Sequence, residues 1–305
     1  LVLACLSIFA TSAVLADAIA RRGAWPTMHV PAFFLAPIGL LHLAIWGLVV
    51  AAPLDRGGWV AWPLVWLSGL WILRRLHGVL NRYLVVTWHV QMLLWGASIA
   101  AWESYARVDA ALLVSSTWAR CAQVIAVVVI VLFVSGRSWA KHLRVAYGEI
   151  GALILLGFSI LWAIGGNIGS PGDAFPLPTI PILNPFDLTL ALIGLTLAHY
   201  VYALGRNGRL TPERRIAVAI IGVALAFFAL NASLLRAIHH ATGVRYAFES
   251  LWASVVVQAA LSIFWTLLAL ASMVYATRRA RRTVWMVAAG LLAVVVIKLF
   301  VVDLS

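Results

Sequence analysis

Eight residues in the second half of the chain combine chemical capability with apolar surroundings: Asn184, Asp187, Arg236, His239, His240, Gln258, Lys298 and Asp303. The sharpest case is Lys298, inside "VVVIKLFVVDLS" at residues 294–305. An ammonium group in hydrocarbon costs several kcal/mol unless something answers it. Arg236 and Lys298 are suited to hold an anion or to pair with a carboxylate. Asp187 and Asp303 can supply that carboxylate or carry a proton. The imidazoles of His239 and His240 can serve as bases near neutral pH. Asn184 and Gln258 donate and accept without charge. No Walker loop, dinucleotide fingerprint, HExxH or GxSxG accompanies them, so no cofactor and no metal is called for and no catalytic nucleophile is marked out.

The elements that must position these groups follow from composition. Hydrophobic residues make up 64% of the 305-residue chain and charged residues only 10%. No soluble domain of this size has enough interior to hide that fraction. The expected class is all-α, a polytopic transmembrane helical bundle forming one membrane domain over residues 1–305. Ten apolar segments are expected, at about 1–20, 32–53, 59–73, 84–102, 118–135, 145–166, 188–204, 216–238, 251–276 and 284–304. Each approaches the length needed to cross ~30 Å of hydrocarbon, the third being the shortest.

Charge placement orients them. Sixteen of the 22 Lys and Arg residues fall on alternate connections: Arg21 and Arg22; Arg74, Arg75 and Arg82; Arg137, Lys141 and Arg144; Arg206, Arg209, Arg214 and Arg215; Arg278, Arg279, Arg281 and Arg282. The other connections carry Asp55, Glu103, Asp109, Asp173, Asp187 and Glu249. The positive-inside rule then puts the Arg-rich loops in the cytoplasm. A basic surplus divided among short loops is a topology signal and excludes a nucleic-acid partner; the expected partner is the lipid bilayer. Oligomeric state has no signature in the sequence.

With that orientation, the eight polar residues collect at one depth near the outer side, from four consecutive segments. Snorkelling to the headgroups would explain Lys298 or Arg236 alone. The set reads as a buried network or an outward-facing polar pocket. Lys298 is expected to pair with Asp187 or, if the helix end unwinds, with Asp303. The connection 167–187, "NIGSPGDAFPLPTIPILNPFD", is an outer Pro-rich loop. Its Phe175, Leu177, Ile180, Ile182 and Leu183 are expected to fold it over the mouth of the bundle. Asn184-Pro185 with Asp187 reads as a helix start.

Two polar stripes have helical spacing: Ser254, Gln258, Ser262 and Trp265, and Thr87, Gln91, Trp95, Ser98 and Trp102. His42, His89 and His199 are read as hydrogen-bonded packing residues rather than haem ligands. Tryptophans near segment ends, Trp62, Trp118, Trp139 and Trp252 among them, are read as interfacial anchors. Cys5 and Cys121 are read as small buried hydrophobes.

At "IPILNPFDL", "LLRAIHHATGV", "VVVQAALSIFWTLLAL" and "IKLFVVDLS" the chain resembles the bacterial family of predicted membrane proteins described as domain of unknown function 2339. The resemblance covers residues 180–305 at least. It implies a multi-spanning protein of the bacterial cytoplasmic (inner) membrane, without an activity to carry over. The family's recurrent polar positions match Asn184, Asp187, Arg236, His239, Gln258, Lys298 and Asp303. Its members are longer at both ends, and with no initial methionine the sequence is expected to be an excerpt of a longer chain.

Three functions fit these residues. One is transport, or envelope biogenesis, handling a small anionic or amphiphilic solute, with Arg236 and Lys298 on the anion and Asp187 or a histidine carrying a proton. Another is a membrane enzyme acting on a lipid-linked or envelope substrate, with His239 or His240 as base. The last is a scaffold whose buried charges fix helix register. Transport or envelope biogenesis ranks first.

Overall fold

A computed structural model describes residues 2–23, 34–46, 51–76, 78, 81–112 and 117–303; the side chains of Cys5 and Asp303 lie outside that description. All regular structure among the described residues is helical. The main helices are α1 (Val2–Arg22), α2 (Leu35–Trp46), α3 (Gly58–Leu76), α4 (Arg82–Leu112), α5 (Thr117–Gly136), α6 (Arg144–Gly169), α7 (Pro185–Arg206), α8 (Pro212–Thr242), α9 (Val255–Arg278) and α10 (Arg282–Lys298). The first turns of α6, Arg144–Gly151, are π-helical, and a π-helical turn, Leu299–Asp303, prolongs α10.

Among the described residues seven helices, α4 to α10, are long and apolar enough to cross a membrane. The fold is therefore the expected all-α membrane bundle, with seven of the ten expected spans counted among the described residues. α3 falls short because it contains Pro63 and ends on Arg74 and Arg75; α1 and α2 adjoin or include residues outside the described set.

Helix ends follow local chemistry. At α7, Asn184 Oδ1 accepts the backbone N–H of Asp187 at 2.9 Å, and Pro185 occupies the first position, where no N–H is needed. α8 starts at Thr211-Pro212 in the same way and stops at Gly243, whose φ of 74° closes the helix with an N–H donated to His239 O.

Three apolar clusters hold the bundle, the smallest being Val124, Val128, Ala163 and Ile193 between α5, α6 and α7. Leu6, Trp62, Val65, Trp88, Met92 and Trp95 join α1 to α4. Ala97, Val127, Val131, Leu156 and Tyr200 join α4 to α7. Trp62 is thus a core residue, 1% exposed, with its indole N–H donated to Pro53 O, rather than an interfacial anchor. Trp252 is exposed as an anchor should be, and Cys121 is a buried free thiol.

Beyond this body α9 and α10 pack along one another, and α8 connects them to α6 and α7. The buried residues of α8, Ala232, Arg236 and Ile238, all lie in its last third. From there back to Pro212 the helix leans away from α7 and opens a cleft.

The 167–187 connection closes the end of the bundle where α8 stops, by a route other than the expected one. Its backbone and small residues do the packing: Ser170 and Ala174 are buried, and Trp118 donates its indole N–H to Ala174 O at 3.0 Å. Phe175, Leu177, Ile180, Ile182 and Leu183 point outward instead, each at least half exposed. Beyond Ala174 the chain turns twice, with Leu177 N–H donated to Ala174 O at 2.9 Å and Leu183 N–H to Ile180 O at 3.2 Å, and these turns carry the large side chains on the outside.

Candidate functional site

The start of α7 and the end of α8 bring the central group together. Arg236, 1% exposed, pairs through Nη2 with Asp187 Oδ1 and donates from Nη1 to Asn167 Oδ1 at 3.0 Å. The second carboxylate oxygen of Asp187 accepts from Asn184 Nδ2 at 2.6 Å and from Ser233 Oγ at 2.9 Å. The guanidinium also lies over the Phe186 ring, 4.8 Å from its centroid. Tyr246 closes the group by donating its hydroxyl to Asn167 O at 2.6 Å. Burial pushes the Tyr246 phenol above its ordinary pKa, against the opposing charge of Arg236.

Lys298 belongs to a different contact. Its Nζ donates to Gln258 O at 3.1 Å and to Ser262 Oγ at 2.8 Å, fastening α10 to α9. The expected pairing with Asp187 is not made, because the Arg236 guanidinium occupies that carboxylate. The Asp303 alternative lies outside the described side chains. Of the two stripes, the one on α9 faces other helices: Gln258 and Ser262 are buried, and Trp265 donates to Asn231 Oδ1 at 2.6 Å. The α4 stripe is divided: Trp95 is buried and Trp102 donates to Ala51 O at 2.9 Å, whereas Thr87 and Ser98 are exposed.

His239 and His240 sit beside the central group without joining its ion pair. His239 Nδ1 is 2.6 Å from Val244 O, and His240 Nε2 is 2.9 Å from Pro171 O. His42 and His89 are hydrogen-bonded packing residues, His42 to Ile38 O and His89 to the Tyr147 hydroxyl.

Asn167, Ser233 and Tyr246 complete the group and were not singled out from the sequence. Asn167 had a signal: it is the one amide in the last turns of the otherwise apolar "LWAIGGNIGS". Ser233 lies three residues before Arg236, on the same helix face. Tyr246 had none, because its place depends on how the chain reverses after Gly243.

Between α6, α7 and α8 a partly open cleft holds about 800 Å³. Its walls are mostly apolar, among them Ile164, Leu190, Leu197 and Leu225. Asn167, Asp187 and Ser233 stand at one end, and the Tyr202 phenol lies toward the other. From Ser233 to Val218 it follows α8 for 15 residues, about 22 Å of helix. One leaflet of hydrocarbon is roughly 15 Å deep.

Seven long apolar helices among the described residues, with a buried ion pair between two of them, define an integral, multi-spanning membrane protein. The chain belongs to the family of predicted membrane proteins described as DUF2339, whose model matches residues 2–305. No curated protein and no solved structure matches it.

Proposed function

We propose that the protein handles an acyl-chain amphiphile, a lipid or lipid-linked envelope precursor, in the outer half of the bacterial cytoplasmic membrane, as part of transport or envelope biogenesis. The observation that carries this reading is the cleft: partly open, mostly apolar along more than a leaflet's depth, and met by the buried Asn167 and Asp187 with Ser233 at one end. In a bilayer such a space is filled by hydrocarbon, and the polar end selects which chains bring a headgroup with them. A small free anion is the poorer substrate. Arg236 already engages Asp187 and Asn167, and Lys298 engages Gln258 and Ser262, so freeing either cation breaks a buried contact.

The test uses a phospholipid with a photoreactive group midway along one acyl chain, incorporated into vesicles with the intact protein. Crosslinks should concentrate on the cleft residues Ile164, Leu190, Leu197 and Leu225. Equal labelling of Ile263 and Leu267, which are exposed on α9, would show general lipid contact and overturn the reading.

Sidedness rests on the Arg-rich connections being cytoplasmic. Cysteine placed at Thr242 should react with an impermeant thiol reagent from the periplasm, and cysteine at Asn207 should not. The opposite pattern would move the polar end to the inner leaflet.

A further inference from the structure

We propose that Asp173, His239 and His240 form a binding site for a divalent transition-metal ion of the zinc class, at the junction of α8 and the 167–187 connection. One ligand atom from each side chain lies within 4.8 Å of the other two. Three side chains of these types make the ligand count of an open zinc site, leaving a fourth position for water.

Helix geometry alone does not produce this grouping. Consecutive residues diverge by about 100° around a helix, yet the two imidazole centroids are 4.7 Å apart. Backbone carbonyls hold them there. Val244 O stands 2.6 Å from His239 Nδ1; a carbonyl only accepts, so Nδ1 carries the proton and Nε2 keeps its lone pair. That is the outer hydrogen bond by which metal-binding histidines are oriented. His240 Nε2 faces two acceptors, Pro171 O at 2.9 Å and Asp173 Oδ1 at 3.9 Å. By the same rule His240 Nε2 donates to Pro171 O, so this ring keeps its lone pair on Nδ1 or exchanges that donation for an ion.

The third ligand comes from far along the chain but is well placed. Gly172 has φ of +76°, and a methyl group there would lie 2.7 Å from Arg236 Cδ, so the backbone rests directly on the buried arginine. Ala174 is buried on the other side. Asp173 is therefore anchored through both neighbours while its own side chain is exposed and able to swing. Ligands about 2.0–2.2 Å from a common ion stand roughly 3–3.5 Å apart, so closing the site takes side-chain rotation of about an ångström. The positive charge of Arg236 does not oppose the ion strongly, because Asp187 neutralises it.

This site stands independently of the amphiphile reading, and its test leaves the cleft untouched. The purified full chain, free of any polyhistidine tag, is titrated with Zn²⁺ in a chelator-buffered series, and with Co²⁺ to read the visible absorption of a low-coordinate site. One equivalent should bind. Asp173→Asn, at an exposed side chain, should weaken binding at least tenfold and leave the metal-free unfolding temperature unchanged. His239→Gln should abolish the Co²⁺ absorption. No binding by the wild-type protein overturns the proposal, as does binding indifferent to Asp173→Asn.

Discussion

Arg236→Ala should destabilise the detergent-solubilised protein by about 3–5 kcal/mol, because it strands the buried Asp187 carboxylate. The alanine also removes the donor to Asn167 Oδ1 and the cation over Phe186. Arg236→Lys should recover only part of the loss, since an ammonium group cannot reproduce a planar fork reaching Asp187 and Asn167 together. Arg236→Met combined with Asp187→Asn should be less damaging than Arg236→Ala alone, as neither partner is then left charged. Thermal unfolding of the four proteins in one detergent measures this. A near-silent Arg236→Ala, or a double variant more damaging than Arg236→Ala, would show that the ion pair does not organise this end of the bundle.

Lys298→Ala should cost about 2–3 kcal/mol, through loss of charge-assisted hydrogen bonds that fasten α10 to α9. The amine is buried, so the contact is not shared with water as a surface pair would be. Lys298→Arg should not restore it, because a wider planar group must enter the space between Gln258 and Ser262. Ser262→Ala should be milder and non-additive with Lys298→Ala, with a coupling of roughly 0.5 kcal/mol or more for residues in direct contact. A lysine that merely snorkels would leave Lys298→Ala silent and the two substitutions additive.

These two cations show where sequence reading succeeds in a membrane and where it stops. Hydropathy and length located the long apolar segments because, in lipid, only a helix satisfies its own backbone. The start of α7 was legible in Asn184-Pro185 and Asp187, since capping is local chemistry. The shared level of Asp187 and Arg236, which their ion pair displays, was legible too, being residue counting at 1.5 Å per step.

Partnership was not legible. Whether Asp187 meets Arg236 or Lys298 depends on how each helix is rotated about its axis. A segment as uniformly apolar as α10 carries almost no rotational signal. α9 does, and its Ser254 to Trp265 stripe found its buried face. The α4 stripe was only half informative: its Trp95 is buried with Trp88, while the small hydroxyls of Thr87 and Ser98 are left exposed. The 167–187 connection was expected to cover the bundle with apolar side chains and instead uses Ser170, Gly172 and Ala174, whose smallness lets the backbone approach Arg236. Asp173 and the histidine pair lie 66 and 67 residues apart, a spacing that matches no metal motif.

The central claim, an amphiphile held in the cleft between α6, α7 and α8, has a direct measurement. Gly194 and Gly222 both line the cleft, and a side chain added at either meets open space. Gly194→Phe with Gly222→Phe should therefore fill the cleft without disturbing the packed core. Mass spectra of the intact protein, released from mild detergent after extraction from its own membranes, resolve each bound lipid as added mass. The wild-type protein is predicted to retain lipid, and the doubly substituted protein to lose it while unfolding within a few degrees of wild type. Equal lipid retention by the two proteins, or none by the wild type, would contradict the account.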